Sequence, residues 1–305
     1  MVHVVFILAL QVLVVLLIGY TSLRKRFNLK NQLLLLALLI LSLFYTSVMR
    51  PFSPAEEQFI MIAALFVLPV VGFMALAIII FARKSAHPEV IRNRTYLNEV
   101  QRKAFHFIAL PMFVPLEYYR EIYNLVLDGA YFTFGLFIEK RSMGYLCFLL
   151  FTVVLLLLVL FSLIEFLRLN FKPVLFGSLL REKELNQLAS YFYSTVSVYL
   201  VTLFFFPNDR VVVAAIAIGF LADLAACLVG MKFRRFLYGD RSMEGTLANF
   251  LVGATVGLYF VGWVAIPVAA VIAVFDFING GFGFDLNDNL LFPLIAASLL
   301  KVLLV

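Results

Sequence analysis

Nine long apolar runs, at 4–20, 32–48, 59–82, 143–164, 186–206, 211–230, 246–262, 264–280 and 290–304, constrain most strongly what this chain can fold into. A helix needs roughly 17–25 apolar residues to cross about 30 Å of hydrocarbon, and only a helix or a closed barrel satisfies its own backbone there. The runs show no period-two alternation, so they predict helices and not barrel strands. Of the 305 residues, 64% are hydrophobic and 14% charged, whereas soluble domains carry about 25% charged residues. The expected fold is therefore an all-α, polytopic integral membrane protein.

No basic residue precedes the first run, and "RKRFNLK" follows it without a small-residue cleavage pattern, so it reads as a retained span. Cys147 and Cys227 lie in separate apolar runs without pairing or metal spacing, and packing accounts for both. Basic residues concentrate at 24–30, at 83–103 and at 231–241, which the positive-inside rule places in the cytoplasm. Parity then allows only one of the segments 104–116 and 122–138 to cross. This predicts about ten spans plus one re-entrant or interfacial segment, with both termini outside and the loops 83–103, 165–185, 231–245 and 281–289 on the cytoplasmic face. The net charge of +6 is ordinary for basic cytoplasmic loops that meet anionic headgroups. Nothing in the chain suggests a nucleic-acid partner.

Four polar clusters exceed that background. In "EVQRKAFHF", Glu99, Arg102, Lys103 and His106 share helical spacing at the entry to the membrane. A basic flank that snorkels to the interface explains them as well as a phosphate-binding pair does. In "GFLADLAACLVG", Asp223 stands inside an apolar run, where an ionisable group is a functional candidate by default. Gly219, Asp223, Ala226 and Gly230 form a small-residue stripe that admits a close backbone or ligand. "MKFRRFLYGDRSMEGTLANF" brings cations, the Glu244 carboxylate, and Ser242, Gly245 and Thr246 at a helix start, whose free N–H groups attract anions. "FDFINGGFGFDLNDNLLFP" ends one run at Asp276 and opens the next after Asp285, Asp288 and Asn289.

These clusters are chemically complementary. Carboxylates suit Mg²⁺, which takes one or two of them and fills its remaining positions with phosphate oxygens and water. Arginine and lysine suit the phosphates. There is no GxxxxGK[ST] loop, so a nucleotide here binds without a Walker motif.

The ordered set Arg102-Lys103-x-x-His106, "LREKELNQLASYFY" at 180–193, Asp223-x-x-Ala226-x-x-x-Gly230, "RSMEGTLANF" at 241–250 and "DLNDNLLFPL" at 285–294 resembles the CTP-dependent polyprenol kinase family. That family includes dolichol kinases, phytol kinases and the CTP-dependent diacylglycerol kinase, and dolichol kinases are the most similar. The resemblance covers about 100–305, so residues 1–82 are expected to be accessory spans ahead of a core at 83–305. Arg241 and Thr246 replace a common Lys and Ser, Arg234 follows Phe233 where glycine is usual, and Asp276 stands where Glu is common.

The resemblance implies transfer of the CTP γ-phosphoryl group to a long isoprenoid alcohol at the cytoplasmic membrane face, giving polyprenyl phosphate and CDP. It implies catalytic roles for Asp223, Glu244 and His106, with Asp223 or His106 as the base. Mg²⁺ is expected on Asp223, Glu244 and Asp288. Arg102, Lys103, Gly230, Lys232, Arg241, Ser242, Gly245 and Asn289 are expected around the nucleotide phosphates. The alternatives are a diacylglycerol, phytol or geranylgeraniol kinase, then a CDP-lipid-forming cytidylyltransferase, whose later "HGGxxDR" stretch this chain lacks, and then a transporter lined by Asp223 and Asp128.

Overall fold

A computed structural model describes residues 2–24, 29–49, 60, 103, 121, 124–125, 145–171, 180, 182–233, 235–239, 241–281 and 286–304. The helices are α1 (Val2–Arg24), α2 (Leu29–Phe44, continued by a π turn at Tyr45–Met49), α3 (Tyr145–Phe171), α4 (Ser190–Phe204), α5 (Asp209–Lys232), α6 (Met243–Val261), α7 (Ala265–Gly281) and α8 (Asp288–Leu303). Each coincides with one of the apolar runs of the sequence. The two-stranded antiparallel ribbon β1 (Leu237–Tyr238) and β2 (Arg241–Ser242) is the exception to an all-α chain.

Four helical stretches are long and apolar enough to cross a bilayer, at Lys30–Val48, Leu150–Asn170, Asp209–Lys232 and Met243–Asn279. The last contains both α6 and α7, joined by a short turn at Gly262–Val264. The expectation of about ten spans is therefore not met among the described residues. Part of the reason is length. With 15 and 16 residues, α4 and α8 rise only about 23–24 Å, short of the hydrocarbon thickness. The run at 59–82 and the pair 104–116 and 122–138 lie outside the described residues, apart from a few single positions. The chain is thus a mostly helical protein with the apolar helices of an integral membrane protein.

Contacts divide the chain into two compact units, one drawn from residues 1–93 and 116–195, the other from 94–115 and 196–305. In the first, α1 packs on α2 and α3. The buried positions of α1, Ile7, Leu10, Val14 and Ile18, recur every three or four residues, as one face of a helix requires. Polar groups along this packing are paired internally: Gln11 donates to Thr46 Oγ1 at 2.9 Å, and Thr21 to the Leu17 carbonyl at 2.7 Å.

In the second unit α5 is the central helix. It is buried without a break from Val211 to Leu224, as expected of a helix that is apolar on every side. Its start is capped by Asn208, whose side chain accepts from the Val211 N–H at 3.2 Å. Helices α6 and α8 pack against it, and α7 packs against α6 and α8.

Small residues set how close these helices come. A Cβ at Gly219 of α5 would lie 2.7 Å from the Pro293 ring of α8. A Cβ at Gly245 of α6 would lie 2.9 Å from the Ala226 carbonyl of α5 and 3.4 Å from Gly230 Cα. The stripe read from the sequence thus admits two backbones, α8 at Gly219 and the start of α6 at Ala226 and Gly230, with Asp223 between them.

Candidate functional site

Asp223 lies on the central helix, 2% exposed. It forms a buried ion pair with Lys103, which joins the second unit from 120 residues away in sequence. A carboxylate in such surroundings demands a counter-charge, and Lys103 supplies it.

Arg241 provides the second cation. It sits on β2, which is paired with β1 so that Tyr238 faces Arg241 and Leu237 faces Ser242. After β1, Gly239 adopts φ +58, a conformation that favours glycine. The ribbon carries the Arg241 guanidinium to two carboxylates at once: its Nη2 lies 2.7 Å from Asp276 Oδ1 and 2.9 Å from Asp288 Oδ2. Burial works against the Arg241 charge, but the Asp276, Asp288 and Asp223 carboxylates outweigh it and raise its pKa above that of an ordinary arginine. Asp276 in turn feels Asp223, Asp288 and Lys103 as well as Arg241.

The result is a five-charge cluster of three aspartates and two cations. It is graded by depth: the Lys103 and Asp223 side chains are 4% and 3% exposed, whereas those of Arg241 and Asp288 are 26% and 23% exposed. One end of the cluster is sealed among helices and the other is open.

Asparagines accompany Asp276 and Asp288. Asn249 of α6 is fully buried and donates to Asp276 Oδ2 at 3.5 Å. Asn289 donates its backbone N–H to Asp288 Oδ1 at 2.8 Å, and its side chain is buried. Asn279 of α7 exchanges two hydrogen bonds with the Leu286 backbone, at 2.8 and 3.1 Å, and so fixes the approach to α8. Ser197 of α4 donates to the Leu290 carbonyl at 2.8 Å and holds the first turn of α8 from another side. The buried Oδ1 atoms of Asn249 and Asn289, and Oε2 of Glu244, have no hydrogen-bond donor among the described residues. Buried acceptors of this kind ordinarily find a partner.

Ser242 ends the ribbon and begins α6. Its hydroxyl accepts from the Gly245 N–H at 3.1 Å, the usual N-cap geometry. Glu244, in the first turn of α6, reaches back to the loop, and its Oε1 accepts from the Arg235 and Phe236 amides at 3.3 Å each.

Among the sequence candidates, the structure brings Asp223, Lys103, Arg241 and Asp288 into one cluster, with Asn289 beside it. Gly230, Ser242 and Gly245 meet at the contact between α5 and α6. Glu244 engages the ribbon backbone. Lys232 is exposed at the end of α5, its Nζ 5.4 Å from the Phe233 ring centre. Arg102 and His106, like Asp128, Asp240 and Asp285, lie outside the described residues. Among the described residues no three His, Cys, Asp or Glu side chains form a ligand set for a single metal ion; the three aspartates converge on Arg241.

Asp276 and Asn249 were not among the phosphate or metal candidates of the sequence reading. For Asn249 a signal exists: Gly245, Asn249, Gly253 and Gly257 repeat every four residues along α6 and are all buried, the small-residue spacing of a tightly packed membrane helix. An amide in that stripe is committed to the interior.

No protein-family model matches the chain, and neither does any curated protein or solved structure.

Proposed function

We propose that the protein is a CTP-dependent kinase that phosphorylates the hydroxyl of a long-chain isoprenoid alcohol, dolichol or another polyprenol, releasing CDP. One observation above the others supports this reading. Asp223, Arg241 and Asp288 come from three separate motifs of the resemblance, and they meet in one cluster that is apolar-walled on one side and open on the other. Phosphoryl transfer asks a protein mainly for positioning and charge stabilisation, and a compact set of fixed charges supplies both.

In this reading Lys103 and Arg241 exchange their carboxylate partners for phosphate oxygens when CTP enters, and Arg102 extends the cationic wall. The N–H groups at the start of α6, presented by the Ser242 cap and the close approach at Gly245 and Gly230, face the phosphates. Mg²⁺ would be held by Asp223, Glu244 and Asp288 with Asn289 in support; it neutralises phosphate charge. Glu244 Oε2, Asn249 Oδ1 and Asn289 Oδ1 are buried oxygens that accept nothing from the described residues, the donor type that a hard cation takes. Asp223 or His106 takes the proton of the attacking alcohol. The finer topology belongs to the same proposal: residues 1–82 as accessory helices before the 83–305 core, and the cluster facing the cytoplasm. The membrane is the cell membrane in a prokaryote or the endoplasmic reticulum in a eukaryote.

The test uses purified protein with CTP labelled at the terminal phosphate and a panel of polyprenols, phytol, geranylgeraniol and diacylglycerol. A kinase transfers the label to a lipid and releases CDP. Release of pyrophosphate with CMP on the lipid would make the protein a cytidylyltransferase, and undiminished turnover in folded Asp223→Asn and Glu244→Gln proteins would remove the assigned site.

A further inference from the structure

Every described residue from Met231 to Gly239 is exposed. Five of them are large apolar side chains, with Met231 at 36%, Phe233 at 47%, Phe236 at 68%, Leu237 at 52% and Tyr238 at 42% exposure. Lys232 and Arg235 stand among them, also exposed, and the sequence from 231 to 239 contains no acidic residue. A contiguous exposed apolar patch marks an interaction surface.

The depth of this segment follows from the helix that delivers it. The 24 residues of α5 rise about 36 Å, against about 30 Å of hydrocarbon and about 40–45 Å including the headgroups. The ribbon therefore begins where acyl chains give way to headgroups. It is also held firmly in place. The Arg235 and Phe236 amides are bound by Glu244, the Met243 N–H donates to the Phe236 carbonyl at 3.0 Å, and Tyr238 stacks on Phe277 of α7 with ring centres 5.3 Å apart. A tethered ribbon presents one fixed apolar and basic face.

We propose that this ribbon is an anchor for an anionic membrane surface. Phe233, Phe236 and Leu237 seat at the boundary between acyl chains and headgroups, and Lys232 and Arg235 pair with lipid phosphates. Charge selects the partner: two exposed cations in a segment, 231–239, that holds no acidic residue complement an anionic leaflet, and aromatic side chains favour this layer. The anchor has a consequence for the charged cluster. Arg241 belongs to the same ribbon, so the seating of β1 sets the depth of the guanidinium that holds Asp276 and Asp288. The inference goes beyond the kinase reading and does not rest on it.

The experiment places the full chain in nanodiscs. The single tryptophan is removed by Trp263→Phe and a reporter introduced by Phe236→Trp, with Leu237→Trp as a second reporter should the first not fold. Bromine is placed high on the acyl chain of either phosphatidylglycerol or phosphatidylcholine, at equal total bromine. The expected result is blue-shifted emission that is quenched more strongly when the anionic lipid carries the bromine, with Lys232→Gln combined with Arg235→Gln abolishing the difference. Water-like emission without quenching, or equal quenching by both lipids, overturns the proposal. So does an anionic preference that disappears on adding CTP at matched ionic strength, which would give the two cations to the nucleotide. None of these readouts depends on turnover, so the anchor and the kinase reading fail separately.

Discussion

The described residues contain two arginine–carboxylate clusters, one in each unit, and they differ in how completely their bonds are filled. In the first unit, Arg168 of α3 is 4% exposed. Its Nε and Nη2 hold both oxygens of Glu165 at 2.9 and 2.6 Å. It also donates to the carbonyls of Glu184, Leu185 and Gln187 at 2.7, 3.3 and 2.6 Å. Glu165 further accepts from the Ala189 N–H at 3.0 Å and from the Tyr191 hydroxyl, and Glu184 accepts from Ser190. Every nitrogen of the guanidinium has an acceptor, either on Glu165 of α3 or on the loop that leads into α4. In the second unit Arg241 uses one nitrogen for two aspartates, is a quarter exposed, and lies in a cluster where carboxylates outnumber cations. The same residue types build a clasp in one place and a receptive site in the other, and saturation separates the two.

The largest expected effect comes from breaking the closed cluster. Arg168→Ala leaves Glu165 as an uncompensated buried charge and strips three carbonyls of their donor, a cost of about 3–5 kcal/mol for the buried pair alone. Thermal melts in detergent should show a large loss of folded protein. Replacing both partners, as in Glu165→Gln with Arg168→Met, should recover part of that loss, because no bare charge remains. A melt unchanged by Arg168→Ala would mean that the clasp does not carry the fold of its unit.

Arg241→Gln sharpens the contrast from the other side. Its expected effect is on turnover, a loss of about 10²–10³-fold in labelled-phosphate transfer, the magnitude typical for removing one charge-stabilising donor. The melt should move less than for Arg168→Ala, because Asp288 is partly exposed and glutamine keeps an amide donor for the buried Asp276. A variant equally damaged in stability and turnover would make Arg241 a second clasp.

Next in size is Gly245→Ala. The added methyl would stand 2.9 Å from the Ala226 carbonyl, and backbone on both sides cannot give way as a flexible side chain does. Overpacking of this kind costs about 1–3 kcal/mol. Because the start of α6 would be pushed from α5, the ribbon and Arg241 should move with it. Turnover is expected to fall along with the melting temperature, and a stable, fully active Gly245→Ala protein would show that the close approach is dispensable.

The helices were legible in the sequence because the bilayer imposes one dominant requirement, a long apolar run, and α5, α6 and α7 follow their runs closely. Lengths were less legible: α4 covers only Ser190–Phe204 of the run at 186–206, whereas α8 fills a run that is itself short. Asp223, Arg241 and Asp288 could be named as candidates because a charge beside or within an apolar run is conspicuous. Their partners could not be paired by reading. Nothing local links Lys103 to Asp223 across 120 residues, and Asp276 looks like an ordinary acid near a helix end until the ribbon brings Arg241 onto it. Glu244 shows the opposite limit: a carboxylate three residues past Arg241 suggests a metal ligand, yet in the first turn of α6 its Oε1 accepts from the Arg235 and Phe236 amides. The Arg168 clasp escaped notice because its main acceptors are backbone carbonyls, which every sequence contains.

The smallest expected effect isolates the hinge between ribbon and helix. Ser242 is buried, 6% exposed, and its hydroxyl satisfies the Gly245 N–H at 3.1 Å. Ser242→Ala removes that acceptor and should cost about 1 kcal/mol, as the loss of an N-cap does. Ser242→Thr should keep the cap hydroxyl but crowd Gly230, because the existing Oγ already lies 3.0 Å from where a Cβ on Gly230 would be. The two variants therefore separate capping from packing. If the cap dominates, alanine is the less stable of the pair; if the fit against α5 dominates, threonine is. In the latter case the turnover lost with Ser242→Thr should resemble that of Gly245→Ala, because both substitutions press on the same contact between α5 and α6.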